Sequence, residues 1–177
     1  YHFCKRAGNE YCIGTRKNIR NRTPIIGPYN ANREGSGDMY AKGANMLHTL
    51  RQMVNNDEQF RSILRGLSAK FYHQTVTTEQ VEGYLAEATG MDLKLFFNQY
   101  LRNTKIPVFE YAVEGKTLKY RWNNCIRGFN MPLKIKVNET EQWVNPTTGW
   151  KALDVPEKAI IAVDAAFYVT QRLKPGR

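Results

Sequence analysis

The residues able to do chemistry in this sequence are few and scattered. There are three histidines (His2, His48 and His73) and three cysteines (Cys4, Cys12 and Cys125). No two histidines stand four apart on a helix, no Cys-x-x-Cys occurs, and no acids flank the histidines as a zinc site requires. The sequence has no Gly-x-Ser-x-Gly elbow, phosphate-binding loop or dinucleotide fingerprint. GSGDMY, residues 35–40, resembles a phosphate loop only superficially, because Asp38 would repel the phosphate. What remains is Tyr40, in the first turn of an expected helix, followed by Lys42 and Gly43 in GDMYAKGANMLHTLR. A tyrosine hydroxyl can donate a hydrogen bond to a developing oxyanion. It can equally be the tip of a core aromatic, and periodicity alone favours the core.

The elements that must position Tyr40 follow from hydrophobic spacing. Phe3, Ala7, Tyr11 and Gly14 make a weak helical stripe. Residues 22–37 hold Pro24, Pro28, Gly27, Gly35 and Gly37, so an extended connector is expected there. The next helix is expected to be capped by Ser36 or Asp38 and to turn Tyr40, Gly43, Ala44, Leu47, Leu50 and Val54 inward. On this reading Gly43 allows a neighbouring element to approach closely. His48 reads as a hydrogen-bonded structural histidine, and Lys42 as a structural ion-pair or surface partner.

Asp57 is expected to cap a helix carrying Phe60, Ile63, Leu64 and Leu67. Thr77 and Gln80 form a capping box for another, which Gly90 stops. Asp92 opens a last helix through Phe96, Phe97 and Tyr100. After Lys105 the period becomes two: VFEYAV, TLKYRW, LKIKV, EQWVN, IIAVD and FYVTQ read as short strands. The expected fold class is α+β by domains. Residues 1–105 form an α-helical unit and residues 106–177 a small antiparallel β-sandwich, with Trp122, Trp143 and Trp150 shielded.

Composition is that of a globular chain, 42% hydrophobic and 24% charged, with a net charge of +10. No stretch is long and apolar enough for a membrane span. Lys5, Arg6, Arg16, Lys17, Arg20 and Arg22 face the single acid Glu10 within the first 22 residues. That segment could serve a non-catalytic binding module with an acidic partner, but no nucleic-acid fold signature accompanies it. The first residues, YHFCKR, contain neither an initiator methionine nor a signal region, which is expected of a processed or partial chain.

GDMYAKGANMLHTLR resembles the tyrosine-bearing helix of the zinc aminopeptidases of the aminopeptidase N and leukotriene hydrolase family, the gluzincins. LRGLSAKFYHQTVTTEQVEGYLAEATGMDLKLFFNQYLRNTKIP is similar to the helical end of their thermolysin-like domain, and the remainder to the β-sandwich that follows it. The resemblance implies a catalytic role for Tyr40 in peptide hydrolysis from the N-terminus. It also implies zinc in the full-length enzyme, bound by a His-Glu-x-x-His motif and a later glutamate that this sequence lacks. The expected partners are a peptide substrate and the missing N-terminal, zinc-binding parts. No cofactor or metal ligand is expected within the chain itself, and a secreted or periplasmic full-length enzyme fits the family. Many relatives carry glutamate between the tyrosine and the lysine, where this chain has Ala41.

Overall fold

A computed structural model describes residues 5–29 and 35–174, with the side chains of the first helix described from Glu10 onward. Five helices precede two small sheets, an α+β arrangement: α1 Lys5–Thr15, α2 Met39–Val54, α3 Asp57–Lys70, α4 Thr78–Thr89 and α5 Lys94–Leu101. A 3-10 turn, Arg16–Asn18, extends α1.

Local chemistry sets most of the helix ends. Asn55 takes a left-handed φ of 52° and closes α2, its N–H donating to the Arg51 carbonyl. The side chain of Asn56 then caps α3 by accepting from the Gln59 N–H at 3.0 Å. Asp57, the expected cap, is instead the first helical residue, and its carboxylate accepts from Arg51 Nε at 2.9 Å. The Thr77–Gln80 capping box is present, and Gly90 ends α4 at φ 67°. Asp92 accepts from the Lys94 N–H at the start of α5.

On α1 the inward residue is Cys12, while Tyr11 is exposed. The apolar stripe expected through Tyr11 is therefore displaced by one position. Phe3, Cys4 and the side chain of Ala7 lie outside the described residues.

The strands are β1 Val108–Glu114, β2 Thr117–Asn123, β3 Leu133–Val137, β4 Thr140–Val144, β5 Lys151–Asp154, β6 Ile161–Val163 and β7 Thr170–Leu173. They form a four-stranded sheet in the order β5-β2-β1-β7 and a three-stranded sheet in the order β4-β3-β6. All pairings are antiparallel except β1 with β7, which run parallel with Val108 opposite Thr170. That pair departs from the all-antiparallel expectation. β5 (KALD) has no alternating pattern to betray it, and of FYVTQ only Thr170 and Gln171 are strand. Phe167 and Tyr168 are instead buried in the connection before β7.

The two sheets and helices α2 to α5 contribute to one apolar cluster, from Leu50, Phe60 and Phe97 to Phe109, Trp122, Leu133 and Ile135. Of the tryptophans only Trp122 is interior, its indole N–H donating to the Met131 carbonyl at 3.0 Å. Trp143 and Trp150 are 39% and 42% exposed, contrary to expectation. Each has a cation over its ring: Lys134 lies 5.2 Å from Trp143, and Arg121 and Lys174 lie 4.6 and 5.4 Å from Trp150. Such contacts accommodate an aromatic face at the surface.

Candidate active site

The buried face of α2 is partly polar: Leu47, Leu50 and Val54 pack into the core as apolar spacing suggests, but polar residues are buried beside them. Lys42, Asn45, His48 and Thr49 are all fully buried, beside Met46, Leu50 and Met53. Lys42 makes no ion pair among the described residues. Its ammonium donates to the Asn103 carbonyl at 2.7 Å, and burial lowers its pKa against the opposing charge of Asp38. That bond joins the first turn of α2 to the segment after α5.

Asn45 ties α2 to α1. Its amide nitrogen donates to the carbonyls of Cys12 and Ala41, both at 2.9 Å, and its oxygen accepts from Arg16 Nε at 2.7 Å. Arg16 also donates to the carbonyls of Ala165 and Ala166 at 2.8 and 3.2 Å, with Tyr168 beneath its guanidinium. Thr49 donates to Asn45 O, and Tyr100 OH donates to Tyr168 O at 2.8 Å. One connected set of hydrogen bonds thus fixes α2 against α1, α5 and the connection between β6 and β7. Backbone carbonyls so buried require donors, which is why this interface tolerates polar residues.

Asp38 has a different role from the expected cap. It has helical dihedrals (φ −69°, ψ −12°), and its side chain makes no bond to the α2 backbone. Its carboxylate accepts from the backbone N–H groups of Arg20 and Asn21, so it ties the chain leaving α1 to the start of α2.

Held in this way, α2 presents Tyr40 outward: the side chain is 77% exposed in the helix's first turn. Tyr40 is therefore not a core aromatic among the described residues. Gly43 lies on the same side, and a Cβ built there would meet nothing within 4 Å, so the expected close approach of a neighbouring element is not found. His48 also departs from expectation, because neither ring nitrogen has a hydrogen-bond partner among the described residues. Burial, then the nearby Arg51 and Arg16, lowers its pKa to about 4. Sequence reading missed Asn45 and Thr49 as positioning residues. Their signal was the three-and-four spacing of Lys42, Asn45 and Thr49, a polar stripe overlooked beside the apolar one.

With this geometry in place, similarity to known proteins becomes informative. No family model matches the sequence. Over 83 residues the chain is 30% identical to aminopeptidase N of Lactococcus lactis subsp. lactis, covering 47% of this chain and 10% of that protein. The chain is similar to part of an aminopeptidase. Its fold matches the structure of Legionella pneumophila aminopeptidase A in complex with aspartic acid, with a TM-score of 0.65 over 97% of this chain. That match has 16% identity, so the shared property is the fold, and the chain spans 23% of the length of that protein.

Proposed function

We propose that this chain is the tyrosine-bearing portion of a zinc-dependent aminopeptidase of the gluzincin group. In this reading residues 1–105 belong to the end of its catalytic domain and residues 106–177 to the following β-sandwich. Tyr40 is the residue that acts on the substrate. The observation that carries the reading is the exposure of Tyr40 at the start of a helix whose opposite face is locked by hydrogen bonds. The similarity to aminopeptidase N supports the same reaction class.

Among the described residues no group of three His, Cys, Asp or Glu could hold a metal ion. In this reading the zinc ligands belong to the remainder of the full-length protein, and the chain by itself is expected to be inactive. Zinc bound there would supply a Lewis acid for the scissile carbonyl.

The contribution of this chain is a donor and a wall. As the carbonyl carbon becomes tetrahedral its oxygen gains negative charge, and the Tyr40 hydroxyl donates a hydrogen bond to it. A donor fixed beforehand needs no reorganisation at that moment, which is how such groups lower a barrier. The bonds from Lys42 to Asn103 O and from Asn45 to Cys12 O supply that fixity. The peptide lies along the exposed side of α2, where Gly43 leaves room.

The test is Tyr40→Phe in the full-length enzyme, which keeps the ring and removes one donor. Turnover is expected to fall roughly a hundred- to thousandfold, about 2.7–4 kcal/mol, with KM, metal content and melting temperature little changed. Undiminished turnover of the phenylalanine enzyme would overturn the proposal.

A further inference from the structure

Two arginines, Arg20 and Arg22, stand beside the start of α2. They line an open cleft of about 530 Å³, together with Asn18, Thr23, Ser36 and Asp38. Both arginines are exposed, and neither guanidinium pairs with an acid among the described residues. Arg16, one turn earlier, is different: each of its three guanidinium nitrogens donates a bond, to Asn45, Ala165 and Ala166.

Asp38 is the one acid lining the cleft among the described residues, and it is already engaged. Its carboxylate is buried and accepts from the backbone N–H groups of Arg20 and Asn21. Because those bonds are to backbone, they hold the arginine segment in place without neutralising either side chain. The cleft therefore presents two guanidinium forks, one amide and two hydroxyls, with an excess of donors and of positive charge. The planar fork of arginine matches a carboxylate through two parallel hydrogen bonds.

Position connects the cleft to Tyr40. Ser36 and Asp38 lead directly into the first turn of α2, where Tyr40 stands. An extended peptide advances about 3.3–3.6 Å per residue. The lining residue nearest Tyr40 in sequence, Asp38, is two residues away, so a peptide of a few residues is the length scale that would join cleft and tyrosine. We infer that Arg20 and Arg22 form a subsite for a carboxylate of the bound peptide, favouring substrates acidic near the cleaved bond. This rests on the aminopeptidase reading for its substrate, but carboxylate binding itself can be measured without catalysis.

The probes are three N-acetylated tripeptides titrated into this chain and followed by amide chemical shifts. Ac-Ala-Glu-Ala-amide carries a side-chain carboxylate, Ac-Ala-Ala-Ala with a free C-terminus carries a terminal one, and Ac-Ala-Ala-Ala-amide carries none. At least one charged peptide is expected to bind about tenfold or more tightly than the uncharged one, and which one does so identifies the source of the carboxylate. The Arg20→Gln/Arg22→Gln chain should lose that preference, Arg→Lys at both positions should keep part of it, and Tyr40→Phe should leave it intact. Added salt should weaken it, because the site is open to solvent. Equal binding of all three peptides, or a preference that survives the double glutamine change, would overturn the inference. Loss of turnover in Tyr40→Phe is read separately, so failure of the subsite and failure of the catalytic reading remain distinct.

Discussion

The backbone N–H of Tyr168 donates to Thr49 Oγ1 at 2.9 Å, joining the middle of α2 to the connection between β6 and β7. Both residues are buried, and Thr49 in turn donates to the carbonyl of Asn45, one turn back on its own helix. The helix that carries Tyr40 is thereby fastened to the sheets by a fully buried side chain. Thr49→Val keeps the volume but leaves the Tyr168 N–H without its acceptor. An orphaned buried donor costs about 1–3 kcal/mol, and urea unfolding of this chain should show that loss. Thr49→Ser, which retains the oxygen, should lose less.

Lys42 offers a second stability test. Lys42→Met preserves the stem within the core but removes the ammonium that donates to Asn103 O. The carbonyl loses a charge-assisted bond, and a destabilisation of about 1–3 kcal/mol is expected from chemical denaturation. The midpoint should move to lower denaturant with little change in slope, because the extent of burial is preserved.

His48 makes stability depend on pH in a defined direction. In the unfolded chain it titrates near its ordinary value, 6.5, whereas in the folded protein its pKa is lowered to about 4. Protons therefore bind the unfolded state more readily in that interval. The stabilising effect of keeping His48 neutral is fully present above pH 6.5 and is lost as pH falls from 6.5 towards 4. A shift of that size corresponds to about 3 kcal/mol at most. Arg51 and Arg16 oppose the imidazolium, while Asp164 and Asp57 favour it. Melting curves between pH 7 and pH 4 should show the decline, and His48→Leu should flatten it.

The tryptophans should separate by environment. Trp122→Ala removes a buried ring and its bond to Met131 O, a loss of about 3–5 kcal/mol. Trp143→Ala and Trp150→Ala remove partly exposed rings from beneath lysine and arginine, and each should cost about 1 kcal/mol or less. Thermal melts of the three variants would show the difference directly.

Much of the helical layer was legible because its signals are local. The Thr77–Gln80 box and the Gly90 stop involve residues close together in sequence, where type and spacing carry the information. The polar face of α2 was not legible, because Asn45 and Thr49 find Arg16 and Tyr168 only after folding. Read by hydrophobicity, that helix turns Tyr40, Leu47 and Leu50 inward. Leu47 and Leu50 do pack into the core, but Tyr40 is exposed, and the distant donors and acceptors bury Lys42 and Asn45 as well. Tyr40 itself was identified through motif resemblance. Its exposure, by contrast, could not be read from the tyrosine and its neighbours alone.

The parallel pairing of β1 with β7 has a consequence for how the chain is made. Val108 leaves the ribosome long before Thr170, its neighbour in the finished sheet. β2 can pair with β1 at once through the Glu114–Thr117 hairpin, but the other edge of β1 stays unpaired until β7 is synthesised. An open edge on a nearly wholly buried strand is a template for pairing with another chain. Nascent chains halted before residue 170 should therefore depend on chaperones and be prone to association, and closure of this sheet should be late and slow.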